Sequence, residues 1–341
     1  MKKDKALLVG KVPPDLLEEI VFSRLGKPRN EVVLTPAIGE DTAALDLGSE
    51  LLLATTDPIT GAQEKAGWLA VKVSLNDIAA AGGEPVCILV TLLLPETAVL
   101  SELEEIMGDI NDACLEENVQ VAGGHTEVTP GLQQPIISVT ALGKTKNRKV
   151  LSSAGAKVGD DIVVTKWAGM EGTSILVRDF RKVFAGVLDE ASIKQAEDLF
   201  KMISVTKEGK IAAENGAHAC HDATEGGVLG AIYEICQASG LGALVYADEI
   251  PVLPVTLRVS EYSKIDPLRL VSSGCLIVTT PNGAELCKIY GEAGISAAVV
   301  GKVTSGQREI RRWGKNSSLE PPGPDQLWYA RRYLESLSCG Q

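Results

Sequence analysis

The run Val86–Leu94 is interrupted only by Thr91 and closed at its ends by Pro85 and Pro95, and it constrains the fold more than any other segment. It is the longest apolar run in the chain, yet far short of the roughly 20 residues that a membrane-spanning helix needs. An apolar run bounded by turn residues reads instead as a buried strand. Helices flank it. One is predicted over Gly67–Ala81 and stopped by Gly82-Gly83, and the other carries Leu100, Leu103, Ile106, Ile110 and Cys114 at helical spacing. Upstream, Pro13-Pro14 leads a helical series Leu16, Leu17, Ile20, Val21 and Leu25 that ends at Gly26. Further strands are predicted at Val32–Leu34, Leu51–Thr55, Val119–Ala122 and Ile136–Gly143. Such mixing of strands with amphipathic helices predicts an α/β chain.

A length of 341 residues suggests two domains. The basic, small-residue stretch Lys144–Lys157 is the natural break, giving units 1–153 and 154–308. The second unit repeats the mixed pattern. Its predicted strands are Ile162–Thr165, Ala243–Tyr246, Gly274–Thr280 and Ala297–Val303. Its predicted helices are Ser192–Met202, Lys207–Asn215, Gly227–Ala238 and Ala284–Glu292. Residues 309–341 read as a polar tail with a short helix, Gln326–Ser336. Charge narrows the partners. Thirty-three Lys+Arg against 45 Asp+Glu leave a net −12, which repels nucleic-acid backbones and anionic membranes. The seven cysteines are odd in number and hold no C-x-x-C, so reduced thiols are expected. The start lacks the apolar stretch of a signal peptide, and a cytoplasmic protein is expected.

No Walker loop, G-x-G-x-x-G, G-x-S-x-G or H-E-x-x-H is present. Instead, acidic residues close apolar elements: Gly39-Glu40-Asp41, Thr55-Thr56-Asp57, Asn76-Asp77 and Asp222 before Ala223-Thr224-Glu225-Gly226-Gly227. Carboxylates that converge repel one another unless a cation sits between them, and hard oxygen ligands suit Mg²⁺. Each aspartate is also an ordinary cap or turn residue, and spacing alone does not show that they meet. Gly123-Gly124 follows an apolar run and Gly226-Gly227 opens a helix, two places where backbone amides approach phosphate. His125 either makes structural hydrogen bonds or donates to phosphate. His218-Ala219-Cys220-His221 reads as a polar loop beside a strand rather than a metal cluster.

In this order, GKVPPDLLEEIVFSRLG, IGEDTAAL, TTDPI, VKVSLNDIAAAGGEP, VAGGHTEV, DATEGGVLGAIYEI and SSGCLIVTTP resemble the PurM-like, AIR synthase-related ATP-binding superfamily, and within it the hydrogenase maturation proteins of HypE type. The resemblance implies a two-domain α/β fold whose N-terminal domains pair between subunits into a β-barrel, hence a homodimer. It implies ATP and Mg²⁺ as cofactors. Asp41, Asp57, Asp77 and Asp222 are the implied metal ligands. Gly39, Asn76, Gly123, Gly124, Thr126, Gly226 and Gly227 are implied to line the nucleotide, and His125 and Lys11 are candidates for contact with phosphate. The implied chemistry is phosphoryl transfer that activates a carbonyl or related oxygen, in hydrogenase maturation with a partner maturation factor. A small-molecule kinase, a purine-type cyclase and a non-catalytic nucleotide-binding partner remain open. Relatives of HypE type end in Pro-Arg-Ile-Cys, whereas this sequence reads Leu337-Ser338-Cys339-Gly340-Gln341, so a carrier role for Cys339 also stays open.

Overall fold

In the computed structural model residues 12–59, 65–145 and 148–338 are described. Lys11 and Cys339 lie outside them. Two antiparallel-dominated sheets organise the chain. The first holds β1 (Val32–Leu34), β2 (Ala43–Asp46), β3 (Leu51–Ile59), β4 (Glu84–Leu94), β5 (Gln120–Val128) and β6 (Ile136–Lys144) in the order β1-β2-β3-β6-β4-β5. Two helices cover it, α1 (Ala66–Ala80) and α2 (Leu100–Glu117). Period-two alternation decides its faces. Ile88, Val90 and Leu92 of β4, with Val139 and Ala141 of β6, are buried among α1 side chains, whereas Leu89, Thr91 and Thr56 are exposed.

The second sheet takes β7 (Asp161–Thr165), β8 (Ala219–Asp222), β9 (Gly242–Tyr246), β10 (Leu276–Thr280), β11 (Ala297–Thr304), β12 (Arg308–Arg312) and β13 (Lys315–Ser318), ordered β13-β12-β9-β11-β7-β10-β8. Its helices are α3 (Met170–Asp179), α4 (Glu190–Asp198), α5 (Thr206–Glu214), α6 (Gly227–Ser239), α7 (Pro254–Ser263), α8 (Gly283–Glu292) and α9 (Gln326–Ser338). The mixed α/β expectation holds. Three local expectations are corrected. Residues 309–318 are not a polar tail: β12 pairs in parallel with β9, and β13 completes a hairpin. Their charged, Trp- and Asn-containing sequence carries little apolar signal because β13 is exposed along its length. Residues 219–222 are the buried strand β8 rather than a polar loop. β5 runs through Gly123-Gly124 instead of stopping at Ala122.

Helix α1 joins the two units. All its residues except Ala66 and Val73 are buried, so it lacks the one-sided pattern of a surface helix. Its Trp68 ring lies 4.9 Å from that of Phe200, and Ala79 and Ala80 pack with Leu151, Val205 and Ala212. Close approach to α5 depends on Gly209, where a Cβ atom would fall 2.1 Å from the Ala79 carbonyl oxygen. Asn76 fastens the same junction. Its Nδ2 donates to the Ile203 carbonyl at 2.8 Å, and its Oδ1 accepts from the Val205 amide at 2.8 Å.

The C-terminal segment is anchored by Asp325, whose carboxylate accepts the amides of Gly226 (2.7 Å), Val271 (3.2 Å) and Leu327 (2.7 Å). Burial nevertheless pushes Asp325 up to about 6. Nearby Glu171 is pushed by burial up to about 7, with Asp325 adding repulsion against bonds from Ser273. A carboxyl raised in the fold contributes stability below its unfolded value of 4.5 and loses that contribution as pH rises through about 7. Glu171→Gln is therefore expected to stabilise the chain by roughly 1–3 kcal/mol at pH 8 and by little at pH 4.5. Thermal melts of both proteins across that range check this, and equal shifts at the two pH values would refute it.

Candidate functional site

The four sequence-predicted aspartates come from four different elements and meet at the junction of the two units. On β3, Thr55 and Asp57 share a face because they are two residues apart. Thr55 Oγ1 donates to Asp77 Oδ2 at 2.6 Å, and Asp57 shares a hydrogen bond with Asp77. Asp77 follows Asn76 on α1, so the Asn76 clamp also sets where Asp77 points. Asp41 enters from the loop before β2, and Asp222 from the end of β8. Burial, then the charges of Asp222, Asp57 and Asp41, hold the Asp77 carboxyl well above the usual carboxylate range.

His221 belongs to the same cluster, although the sequence reading set it aside. Its Nδ1 lies 2.6 Å from Asp41 Oδ1 and its Nε2 lies 2.9 Å from Glu234 Oε2. Burial alone would lower its pKa, but Asp41 and Glu234 outweigh burial and raise it well above the ordinary histidine value. One ligand atom from each of Asp41, His221 and Asp222 can be chosen so that all lie within 4.8 Å of one another. His218, three residues earlier, pairs with Asp160 at 2.9 Å instead, so the His-x-x-His spacing makes no common site. The available signal was the dipeptide His221-Asp222 placed just before the glycines that open α6. The loop carrying Asp41 is tied down by Glu40, whose Oε1 accepts from the Ser152 hydroxyl and, at 3.3 Å, from the Ala154 amide. Burial raises Glu40 as well.

Several clustered carboxylates, one of them raised by burial and by the charge of its neighbours, suit a hard divalent cation that relieves their repulsion. Asp41 also separates two cavities. One, of about 330 Å³, is bounded by Thr42, Thr55, Thr56 and Thr140. The other, of about 390 Å³, has walls from Pro14, Leu17, Phe22 and Pro322, with Glu225, Glu234 and His221 among its polar lining.

The remaining predicted residues are placed elsewhere or otherwise occupied. Both polar ends of Asn76 are committed to backbone groups and the residue is fully buried, so it offers nothing to a nucleotide. Gly123, Gly124, His125 and Thr126 lie on the edge strand β5, three strand spacings from β3, about 14 Å away. Gly124 is required by close strand approach, since a Cβ would fall 1.9 Å from the Val90 carbonyl oxygen. His125 pairs with Glu127 at 2.9 Å on the surface. The Gly226 amide is taken by Asp325, and Gly227 packs against the Leu268 and Leu270 carbonyls. Gly39 packs on the Glu234 carbonyl, next to the cluster.

A protein of Methanocaldococcus jannaschii, provisionally described as a hydrogenase expression/formation protein, is 27% identical over 316 residues, covering 88% of this chain and 90% of its own. A selenide, water dikinase of Sulfurovum sp. is 29% identical over 307 residues, 88% of this chain and 80% of its own. Among solved structures, HypE in its complex with HypF superposes with a TM-score of 0.75 at 21% identity, covering 90% of this chain and 99% of that one. HypE in complex with ATP gives 0.70 at 21% identity, covering 94% and 98%. Residues 39–145 match the family described as AIR synthase related protein, N-terminal domain, and residues 157–314 match its C-terminal domain. Both halves of the fold are thus accounted for, and the chain belongs to the AIR synthase related protein family.

Proposed function

We propose that the chain is a HypE-like enzyme that uses Mg²⁺ and ATP to activate a carbonyl or related oxygen by phosphoryl transfer, in hydrogenase maturation alongside a partner maturation factor. The convergence of Asp41, Asp57, Asp77 and Asp222 at the junction of the two units carries this reading. A magnesium ion bound there would neutralise charge on the transferring phosphate. The chain's own residues do the rest. Thr55 and Asp57 orient Asp77. Glu234 and Asp41 hold both nitrogens of His221, which fixes the ring and offsets part of the carboxylate charge. The cavity beside the β3 threonines is the proposed phosphate side, and the apolar cavity beyond Asp41 is the proposed acceptor side. The likeness to relatives named for hydrogenase formation and to HypE in complex with ATP supports the same reading.

ATP turnover with Mg²⁺ tests it. Asp57→Asn combined with Asp77→Asn is expected to lower turnover at least about a hundredfold, the scale of losing preorganised charge stabilisation. Unchanged turnover rejects the enzymatic reading. A small-molecule kinase is the second reading, favoured by the likeness to a selenide, water dikinase. Phosphate transfer to one member of a panel of small acceptors would select it over the first. A homodimer formed through the exposed face of the first sheet completes the proposal, and a sedimentation coefficient of a single chain at micromolar concentration would sink that part.

A further inference from the structure

A third cavity is larger than either of the two beside Asp41. A cleft of about 890 Å³ opens where the end of α1 and the start of β4 face α5. Lys144, which lines it, pairs with Leu52 and Glu84 at one end of the first sheet. Asp57 lies five residues along β3 from Leu52, about 17 Å at strand rise. Along β3 the cleft is therefore displaced from Asp57 toward the other end of the strand.

Its lining is cationic in a chain of net charge −12. Lys144, Lys149, Lys207 and Lys210 all face it. Lys207 and Lys210 are three residues apart on α5 and so project from one side of the helix. None of the four makes an ion pair among the described residues. Lys207 donates to the Ala293 carbonyl at 2.5 Å, and Lys149 reaches the Ala217 carbonyl at 3.4 Å. Of the three glutamates present, Glu117 is spent on buried Lys72 at 2.6 Å and on the Thr206 hydroxyl at 2.8 Å, and Glu214 is itself engaged. Glu84 also lines the cleft. Pro85, Val86 and Leu151 supply an apolar wall. A cleft of this volume takes a ligand of nucleotide or drug size. Lysines that outnumber the uncommitted carboxylates around them favour an anion that relieves the imbalance.

We propose that this cleft is a second binding site, distinct from the acid cluster, for a small phosphorylated or otherwise polyanionic metabolite. The proposal stands independently of the nucleotide reading. The probe is sodium tripolyphosphate, titrated calorimetrically into the full chain with a chelator present. Without a divalent ion the four aspartates repel this probe, so uptake reports the lysine cleft. Saturable uptake near one equivalent is expected. Lys144→Gln with Lys210→Gln should weaken it at least about tenfold, because two charge-assisted contacts are lost. Lys182→Gln with Lys194→Gln removes the same charge from exposed positions outside the cleft and should change it less than about twofold. Thermal melts confirm that both variants fold, and Lys144→Glu with Lys210→Glu should abolish uptake. Absence of saturable uptake by the unsubstituted chain overturns the proposal, as does an equal loss in the cleft and control variants.

Discussion

Asp77→Asn is expected to make the metal-free chain more stable while removing its capacity to gain stability from Mg²⁺ and ATP. Asp77 is held well above its ordinary range, chiefly by burial and then by Asp222, Asp57 and Asp41. A carboxyl raised by folding contributes most below its unfolded pKa and loses that contribution as pH rises through the raised value. At pH 8, above the ordinary carboxylate range, the raised carboxyl works against the fold, so the neutral amide is expected to add roughly 1–3 kcal/mol, the scale of a poorly compensated buried polar group. The amide can still accept from Thr55 Oγ1 and donate to Asp57, so the local hydrogen bonds survive. With Mg²⁺ and ATP added, the unsubstituted chain should gain several degrees in melting temperature and the variant almost nothing. The reverse ordering in the metal-free state would show that Asp77 is stabilised by its surroundings rather than opposed by them.

Gly209→Val is expected to cost more than about 3 kcal/mol, because overpacking against backbone cannot be relieved by rotamer change. The added Cβ would fall 2.1 Å from the Ala79 carbonyl oxygen and 2.6 Å from its carbon, so α1 and α5 must separate. That separation also strains the Asn76 clamp to Ile203 and Val205, which sets Asp77 against Asp222. Denaturant unfolding measures the first effect. If the folded fraction that remains at low temperature takes up Mg²⁺ and ATP as the unsubstituted chain does, the link between helix packing and the site is wrong.

Elements with clean periodicity were legible in the sequence. A continuous apolar run between bounding prolines marked β4, and spacing of three and four marked α2. The glycines after Ala81 marked the end of α1. Elements whose burial comes from elsewhere were not legible. β13 is exposed and polar, and β8 is four residues long with His and Asp inside it. His221 looks like a loop residue because its burial is compensated by Asp41, far away in the sequence, and by Glu234 on α6. The same cause hid the part played by Asn76. An Asn-Asp pair on a helix reads as a site, and nothing local reveals that the first residue clamps backbone while the second joins the acid cluster.

The amino-acid sequence by itself determined the kinds of element and a mixed α/β pattern in both halves, and it marked the four aspartates as candidates. It did so because hydrophobic period and residue chemistry are local properties. Only the tertiary structure decided that the four converge, that His221 joins them, and that Gly226 serves an internal cap. Each of these depends on contacts between segments distant in the sequence, and such contacts leave no periodic trace in the chain.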